Sequence, residues 1–292
     1  MLSNILQLEH VNKSYTKSRF QLKNISFSVP SGSIVGFIGE NGAGKTTTMG
    51  TIIGTLQKDS GSVKLFGEEV DEKNVSIKEQ IGVVFDEMNF AGKLDVKQLN
   101  RTFKKVYKAW DEQLFFDYIK RFSLPLNENV EGFSRGMSMK LSLAVALSHD
   151  AKFLLLDEVT AGLDPVAREE IIEELARIVE DGKRSILLSS HITTDIEAIA
   201  DELIFIKNGE IILQVSTKDV KENYVILTCS EEEFPKLTEE SIVRTRKKGS
   251  LVEVLMKTKD KIPPTMHVKS HTLEDITVLL MKGDLNEWAD FK

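Results

Sequence analysis

A phosphate-binding loop constrains this chain more than any other stretch of its sequence. Residues 39–47 read GENGAGKTT and match the pattern G-x-x-x-x-G-K-[ST]. The apolar run Ser33–Ile38 before the loop predicts a buried strand, and apolar residues at helical spacing after it predict a helix. In that context the glycines let backbone amides and the positive end of the helix face the β- and γ-phosphates of a nucleotide. The alternative is a glycine-rich turn with an incidental lysine. The residues predicted to bind the nucleotide are Gly39, Glu40, Asn41, Gly42, Ala43, Gly44, Lys45, Thr46 and Thr47.

Length and composition limit what surrounds this loop. The 292 residues allow one large domain with a small one, or two domains. A single cysteine, Cys229, excludes an internal disulfide, fits a reducing cytosol, and is expected to be a small buried hydrophobic residue. The net charge of −7 argues against sequence-independent binding of nucleic acid. No apolar run approaches the roughly 20 residues that cross a bilayer, and no signal peptide is visible, so a membrane role would come through a partner.

Strands alternate with helices along most of the chain and predict a mostly parallel sheet covered on both faces. An Asn208-Gly209 hairpin is expected to close this main domain. Residues 95–147 are predicted to be helical; their apolar stripe indicates either a core face with a solvated basic face, or an exposed lobe that meets a membrane partner. Beyond Thr217 we expect a small α/β appendage, with a turn at 246–249 and a last helix that starts near Thr272.

Two carboxylates follow the apolar strand predicted at 151–156. Asp157 and Glu158 would lie at the carboxyl end of that strand, where open α/β sheets bind ligands. Asp157 could hold Mg²⁺ through water, and Glu158 could orient or deprotonate an attacking water. The alternative is an acidic strand end that faces solvent. His191 also follows an apolar strand and is either a packed histidine or a γ-phosphate contact; Tyr15 is either a surface aromatic or a stacking partner for adenine.

The order of these motifs resembles the nucleotide-binding domain of an ABC transporter. The phosphate loop is followed by FSRGM at 133–137, Asp157-Glu158, AGLD at 161–164 and His191. The fragments NGAGKTT and TAGLDP are the most specific, and the resemblance covers about residues 5–215. The chain is most similar to ATPase subunits of Gram-positive exporters, including those that expel cytolytic peptides such as phenol-soluble modulins.

The resemblance implies a fold and a function. The fold would be α/β, a P-loop NTPase domain of the ABC type with a RecA-like core, an antiparallel β subdomain and a helical subdomain. It would span residues 1–216, with the helical subdomain at about 87–150, and residues 217–292 would form the accessory domain. The chain would hydrolyse ATP with Mg²⁺, dimerise around two ATP molecules, and power an exporter of cytolytic or antimicrobial peptides or drugs. It would lie at the cytoplasmic face of the membrane through a separate permease chain, without nucleic acid.

The resemblance also gives roles to residues outside the phosphate loop. Tyr15 would stack on adenine. Because each half-site is incomplete, Ser134 and the Gly136 amide at a helix N-terminus would cap a γ-phosphate held by the other subunit. Asp164 would communicate across the dimer. The residues implied to touch nucleotide in this way are Tyr15, Ser134, Arg135, Gly136 and Asp164.

Catalysis and metal binding are implied for a second group. Glu158 would be the catalytic base and His191 the switch that senses the γ-phosphate. The implied magnesium ligands are Thr46, Asp86 and Asp157. Asp86 stands where the family usually has glutamine, so it could ligate the metal directly or cap a helix or turn.

Other departures and other functions stay open. The signature reads FSRGM rather than LSGGQ, which keeps Ser134 and Gly136 and adds the charge of Arg135; Val159 replaces a common proline. One alternative is a soluble ABC protein acting on ribosomes or DNA, which usually carries two such domains or a long coiled coil. Others are an importer ATPase, or a phosphotransferase that would leave Ser134–Gly136 and His191 without a task.

Overall fold

The computed structural model describes residues 4–71, 74–85, 90–257, 262–263 and 266–283. None of the helices in these ranges is long and apolar enough to span a bilayer. The elements follow along the chain in this order: β1 (Asn4–Tyr15), β2 (Ser18–Pro30), β3 (Ile34–Ile38), α1 (Lys45–Ile52), β4 (Ser60–Leu65), β5 (Glu68–Glu69), α2 (Val75–Lys78), β6 (Ile81–Val84), α3 (Val96–Val106), α4 (Glu112–Arg121), α5 (Arg135–Leu147), β7 (Phe153–Asp157), α6 (Pro165–Val179), β8 (Ser185–Ser190), α7 (Thr193–Ile199), β9 (Glu202–Lys207), β10 (Glu210–Ser216), α8 (Thr217–Asn223), β11 (Tyr224–Ser230), β12 (Ile242–Lys248), β13 (Leu251–Lys257), β14 (His267–Lys269) and α9 (Leu273–Lys282).

The central sheet has the strand order β10-β9-β3-β8-β7-β6. Strands β9, β3, β8, β7 and β6 run parallel, and β10 pairs antiparallel with β9 at one edge. Strands β3, β7 and β8 are buried along their whole length, as a parallel sheet covered on both faces requires. The predicted α/β fold with a mostly parallel sheet is therefore confirmed. Since β3, β8 and β7 are neighbours, their carboxyl ends meet at one edge.

The two faces of this sheet are covered differently. Phe153 and Leu155 of β7 point into a core shared with α1 and the antiparallel sheet β2-β1-β4-β5. Leu154 and Leu156 point to the other face, into a core built by helices α3 to α7 and α9. Alternation along one strand therefore joins the antiparallel β layer and the helical layer to the same sheet.

The apolar stripe predicted over residues 99–110 does not form one helix. Helix α3 starts with a capping box between Asp95 and Gln98 and ends at Val106. Val106 is 61% exposed, whereas Trp110 lies beyond the helix and donates a hydrogen bond of 2.8 Å from Nε1 to Asn100 Oδ1. Tyr107, just past the helix end, stacks on His149 with ring centroids 4.0 Å apart. Part of the stripe thus faces the core, and Val106 faces solvent.

A buried carboxylate joins two helices of the helical layer. Glu174 of α6 is 3% exposed and accepts hydrogen bonds from Arg121 of α4 (2.7 Å) and Arg177 (2.6 Å). The Arg121 guanidinium also lies 5.2 Å from the centroid of the Tyr118 ring. A buried carboxylate needs both partners, because removing one side of such a pair leaves an uncompensated charge.

We expect Glu174→Ala to lower the free energy of unfolding by about 2 kcal/mol, since both arginines lose their buried acceptor but can reach water. For a chain of 292 residues that corresponds to a melting temperature lower by about 3 °C. Glu173→Ala, one residue away and exposed, is the matched control for thermal denaturation. Equal melting temperatures of the two variants would contradict a stabilising role for Glu174.

Residues 217–283 add a third sheet, β12-β13-β11-β14, with α8 before it and α9 after it. One face has its own core around Leu227 and Phe234, whereas α9 packs against α7 and β9 of the main body. Cys229 is buried in the separate core, and burial raises the pKa of its thiol to about 11, which confirms the expected small hydrophobic role. The division of the chain at residue 216 stays a prediction.

The prediction of a turn at residues 246–249 was wrong. Arg246, Lys247 and Lys248 belong to β12, and only Gly249, with φ of +63°, lies in the connection to β13. Arg246 and Lys248 both pair with Glu253 on the facing strand, which offsets the positive charges within β12. The last helix starts where it was predicted, with Thr272 as its N-cap.

Candidate active site

The phosphate loop joins the end of β3 to the start of α1. Gly42 and Gly44 have φ of +81° and +116°, a backbone region that favours glycine. A Cβ on Gly44 would also lie 2.8 Å from Leu22 Cδ2, so the space beside the loop is filled. Lys45 is buried and folds back over the loop, where its Nζ donates a hydrogen bond of 2.7 Å to the Gly39 carbonyl. The loop therefore holds the side chain of Lys45 at the N-terminus of α1.

The end of β7 brings a carboxylate to this loop. Asp157 is buried and accepts a hydrogen bond of 2.7 Å from Thr46 Oγ1. Its other oxygen accepts a short hydrogen bond from Ser189 Oγ on β8. Three neighbouring elements therefore meet at Asp157, and two of the residues predicted to bind metal, Thr46 and Asp157, are in direct contact.

Glu158 follows immediately and stands between a lysine and a histidine. Its Oε1 lies 3.2 Å from Lys45 Nζ, and its Oε2 lies 2.6 Å from His191 Nδ1. The backbone N–H of His191 also donates to Oε2 at 3.3 Å. Glu158 has φ of +53°, an uncommon value for a residue other than glycine, and its own N–H is held by Ser189. The structure thus brings together both residues predicted to be catalytic.

A cavity of about 290 Å³ opens over the loop. The residues that line it are Phe20, Glu40, Asn41, Gly42, Gly44, Lys45, Thr46, Thr47 and Glu158. Backbone amides at the start of α1 and the Lys45 ammonium give its floor a positive potential, which suits phosphate. Glu158 on its wall can accept a proton from a water that attacks such a phosphate. This is the chemistry of phosphoanhydride hydrolysis.

Comparison with known proteins decides which family carries this site. The family model described as ABC transporter matches residues 22–161. ABC transporter ATP-binding protein NatA of Bacillus subtilis is 32% identical over 69% of this chain and 84% of that protein. Lantibiotic transport ATP-binding protein SrtF of Streptococcus pyogenes is 32% identical over 72% of this chain and 90% of that protein. A solved structure titled as the ATP binding subunit of an ABC transporter shares 25% identity, with a TM-score of 0.68 over 74% of this chain and 92% of that one.

The chain belongs to the ABC transporter ATP-binding family. It is accordingly an ATPase, because hydrolysis of ATP is the characteristic activity of that family. The resemblance inferred from the motif order is confirmed. The roles of the individual residues stay predictions, which the geometry of this ABC ATPase makes specific.

The signature motif of this ABC ATPase lies away from its own cavity. Ser134 is the N-cap of α5 and accepts a hydrogen bond of 3.2 Å from the Met137 N–H. Arg135 and Gly136 form the first turn of that helix. Asp164 caps α6, and the backbone N–H groups of Ala167 and Val166 hold the pKa of its carboxyl below the usual value. Neither Ser134 nor Asp164 lines the cavity above the phosphate loop.

The predicted metal ligands are only partly described. Asp86 lies outside the described residues. Within the described part of the chain, no group of three or more His, Cys, Asp or Glu side chains could hold a metal ion. The Thr46 hydroxyl and the Asp157 carboxylate do fit Mg²⁺, which prefers oxygen ligands and usually takes only one or two carboxylates from the protein, the rest coming from water and phosphate.

Sequence reasoning missed two contributors to this site. Phe20 lines the cavity beside Gly44, whereas Tyr15 sits at the end of β1 with Lys13 Nζ 5.5 Å from its ring and does not line it. The Asn208-Gly209 hairpin was predicted only to close the domain. In the structure the Gly209 N–H donates a hydrogen bond of 2.9 Å to the carbonyl of Ala43 in the phosphate loop. The hairpin signal was visible in the sequence; its contact with the loop was not.

Replacing Phe20 by Ala is expected to weaken nucleotide binding about 5- to 10-fold, because the aromatic wall of the cavity is lost. Titration with a fluorescent ATP analogue measures the dissociation constant. Arg19→Ala, the exposed neighbour, should bind as the wild type does. If Phe20→Ala binds normally and Tyr15→Ala does not, Tyr15 alone forms the aromatic platform that the resemblance implied.

Proposed function

We propose that this ABC ATPase closes as a homodimer around two ATP molecules and drives a membrane exporter through a separate permease chain. The observation that carries the proposal is the contact of Glu158 with both Lys45 and His191 at the wall of the phosphate cavity. A carboxylate held there serves as general base for an attacking water. The Lys45 ammonium that now faces Glu158 Oε1 would turn to the incoming phosphates, which would release that oxygen for the water.

His191 has a positioning task in this scheme. Its Nδ1 and its backbone N–H both lie within hydrogen-bond distance of Glu158 Oε2, so the orientation of the carboxylate depends on this residue. Thr46 and Asp157 would hold Mg²⁺, which supplies charge neutralisation on the phosphates when bound. The amides of the loop and Lys45 bind the β- and γ-phosphates.

The need for two copies follows from what one copy leaves outside its cavity. Ser134 and Asp164 are exposed, and Val166, in the first turn of the helix that Asp164 caps, is 65% exposed although it is apolar. A second copy placed against this surface would bring its phosphate loop to the N-terminus of α5, where a helix end favours an anion. ATP would then join the two subunits, and hydrolysis would release them.

A groove between β6 and α3 supports a permease partner. It encloses about 380 Å³ and is lined mainly by apolar and aromatic side chains, among them Val83, Phe85, Phe103 and Tyr107. Burial lowers the pKa of His149, which keeps the ring stacked on Tyr107 neutral. A groove of this kind, mainly apolar with Lys78 in its lining, accepts the apolar face of an amphipathic helix. We assign it to a cytoplasmic helix of the permease, which would hold the chain at the cytoplasmic face of the membrane.

The exported substrate is proposed to be an antimicrobial or cytolytic peptide, or a drug. The support is the similarity to SrtF, whose name is lantibiotic transport ATP-binding protein and of which the chain covers 90%. Nucleic acid is not proposed as a partner, since the net charge of −7 opposes it.

Copurification from membranes tests the proposal. Wild-type chain extracted with detergent should carry a membrane-spanning protein, and Tyr107→Glu should lose it because a charge is buried in the groove. Val106→Glu is the matched control: it is the adjacent residue, is exposed, and does not line the groove. Retention of the membrane protein by Tyr107→Glu would reject the groove, and recovery of ribosomes or DNA instead would reject the exporter.

A further inference from the structure

Arg135, the residue that departs most in charge from the family signature, reaches a second loop of its own chain. It is the first residue of α5, and its guanidinium lies against Gly162. A Cβ on Gly162 would stand 3.2 Å from Arg135 Cζ, 3.2 Å from Nε and 3.4 Å from Nη1. Three guanidinium atoms at nearly equal distance mean that the planar group lies flat over the glycine, a packing that a lysine cannot reproduce.

Gly162 belongs to the turn that begins at the general base. The Ala161 N–H donates a hydrogen bond of 3.0 Å to the Glu158 carbonyl. The Leu163 N–H donates one of 3.4 Å to the Thr160 carbonyl. Gly162 has φ of +69° and Glu158 has φ of +53°, so both residues lie in the left-handed region. A displacement at Gly162 therefore reaches Glu158 through one short, hydrogen-bonded turn.

The next residue of α5 makes a second contact with the same segment. A Cβ on Gly136 would lie 3.5 Å from Ala167 Cβ and 4.0 Å from Leu163 Cδ2. Leu163 is buried, and Asp164 fixes the following helix through its two N-cap hydrogen bonds. The first turn of α5 thus approaches the Glu158–Asp164 turn at two residues, Gly162 and Leu163.

The geometry points to Arg135 as a positioning residue that acts within its own chain. Its guanidinium holds Gly162, so that the signature helix and the turn carrying Glu158 move as one body. When the signature motif closes on the nucleotide of the other subunit, this coupling would orient the Glu158 carboxylate of its own subunit. This role rests on the proposed function, because it needs hydrolysis at Glu158; the competing role is a direct contact between Arg135 and the phosphate of the other subunit.

Steady-state hydrolysis of ATP separates the two roles. If Arg135 positions Glu158, Arg135→Ala lowers kcat about 10-fold and leaves the KM for ATP within about 2-fold. Arg135→Lys should be equally slow, because it keeps the charge but not the planar group. A phosphate contact would instead raise KM, and Lys would restore much of the activity; that result would overturn the positioning role.

A double-mutant cycle tests the contact itself. Gly162→Ala should cost about 10-fold in kcat in the wild type. Beside Arg135→Ala the cost should be at most about 3-fold, because the guanidinium no longer occupies the space and only the strain of alanine at φ of +69° remains. Effects that multiply would show that the two residues act independently and would reject the proposal.

Hydrogen exchange on the nucleotide-free chain gives a measurement that does not depend on catalysis. In Arg135→Ala the amides of Ala161 and Leu163 should exchange about 5-fold faster, while the amide of Gly209 keeps its rate. Unchanged exchange at Ala161 and Leu163 would reject the proposal even if Glu158 is the base. Suppose instead that exchange is faster in Arg135→Ala but Glu158→Gln hydrolyses ATP at the wild-type rate. The contact between Arg135 and Gly162 would then stand, and Glu158 would not be the general base.

Discussion

Glu158→Gln is expected to lower the rate of ATP hydrolysis at least about 100-fold while ATP still binds, since a general base contributes about 10²–10⁴ in rate. The amide keeps the shape of the side chain and can still face Lys45 and His191, but it cannot accept the proton of the attacking water. Phosphate release measures the rate, and equilibrium titration with an ATP analogue measures binding.

The same variant should accumulate as an ATP-dependent dimer, because a complex that cannot hydrolyse ATP cannot open. Light scattering with and without Mg-ATP reports the mass. Glu173→Gln, which is exposed on α6 and does not line the cavity, is the matched control and should hydrolyse ATP normally. Hydrolysis at the wild-type rate in Glu158→Gln would remove Glu158 from its role, and a strictly monomeric ATP-loaded variant would refute the dimer.

Lys45→Ala is the second large effect, with ATP binding expected to weaken about 50-fold, or about 2.3 kcal/mol, through loss of a charged hydrogen bond to phosphate. Lys45 is 6% exposed, and its Nζ contacts the carbonyls of Gly39 and Glu40 as well as Glu158. The substitution therefore also leaves Glu158 Oε1 without its cation. Calorimetry gives the affinity, and a circular dichroism spectrum like that of the wild type shows that the chain still folds.

A matched lysine elsewhere makes this result specific. Lys218 has an 80% exposed side chain on α8, so Lys218→Ala changes the net charge equally without touching the cavity. Its affinity for ATP should equal that of the wild type. Equal affinities of all three proteins would mean that Lys45 does not contact phosphate.

The sequence predicted the centre of the fold well because the evidence there is local. An apolar strand, a glycine-rich loop and a helix follow one another at the phosphate loop, and apolar strands end at Asp157 and near His191. Parallel strands place such ends at one edge of a sheet, so the contacts among Lys45, Glu158 and His191 follow from the order of elements.

The features that the sequence did not predict depend on contacts between different elements of the fold. Residues 246–248 read as a polar turn, yet they form a strand because Glu253 pairs with Arg246 and Lys248, and Glu231 with Lys247. Glu174 lies in a helix rich in charge, and its burial is compensated by Arg177 and by Arg121, which lies 53 residues earlier. Phe20 reaches the cavity only because the hairpin of β1 and β2 packs beside Gly44. Local periodicity carries none of this information.

The left-handed backbone of Glu158 has a consequence for protein engineering. Holding a non-glycine residue at φ of +53° costs on the order of 1–2 kcal/mol, which glycine avoids and asparagine reduces. If Glu158 is the general base, as we propose, selection for heat resistance alone would enrich Gly or Asn at position 158 and yield more stable proteins without ATPase activity. On the same proposal, the glutamate at this strained position is explained by its role in hydrolysis rather than by the stability of the fold.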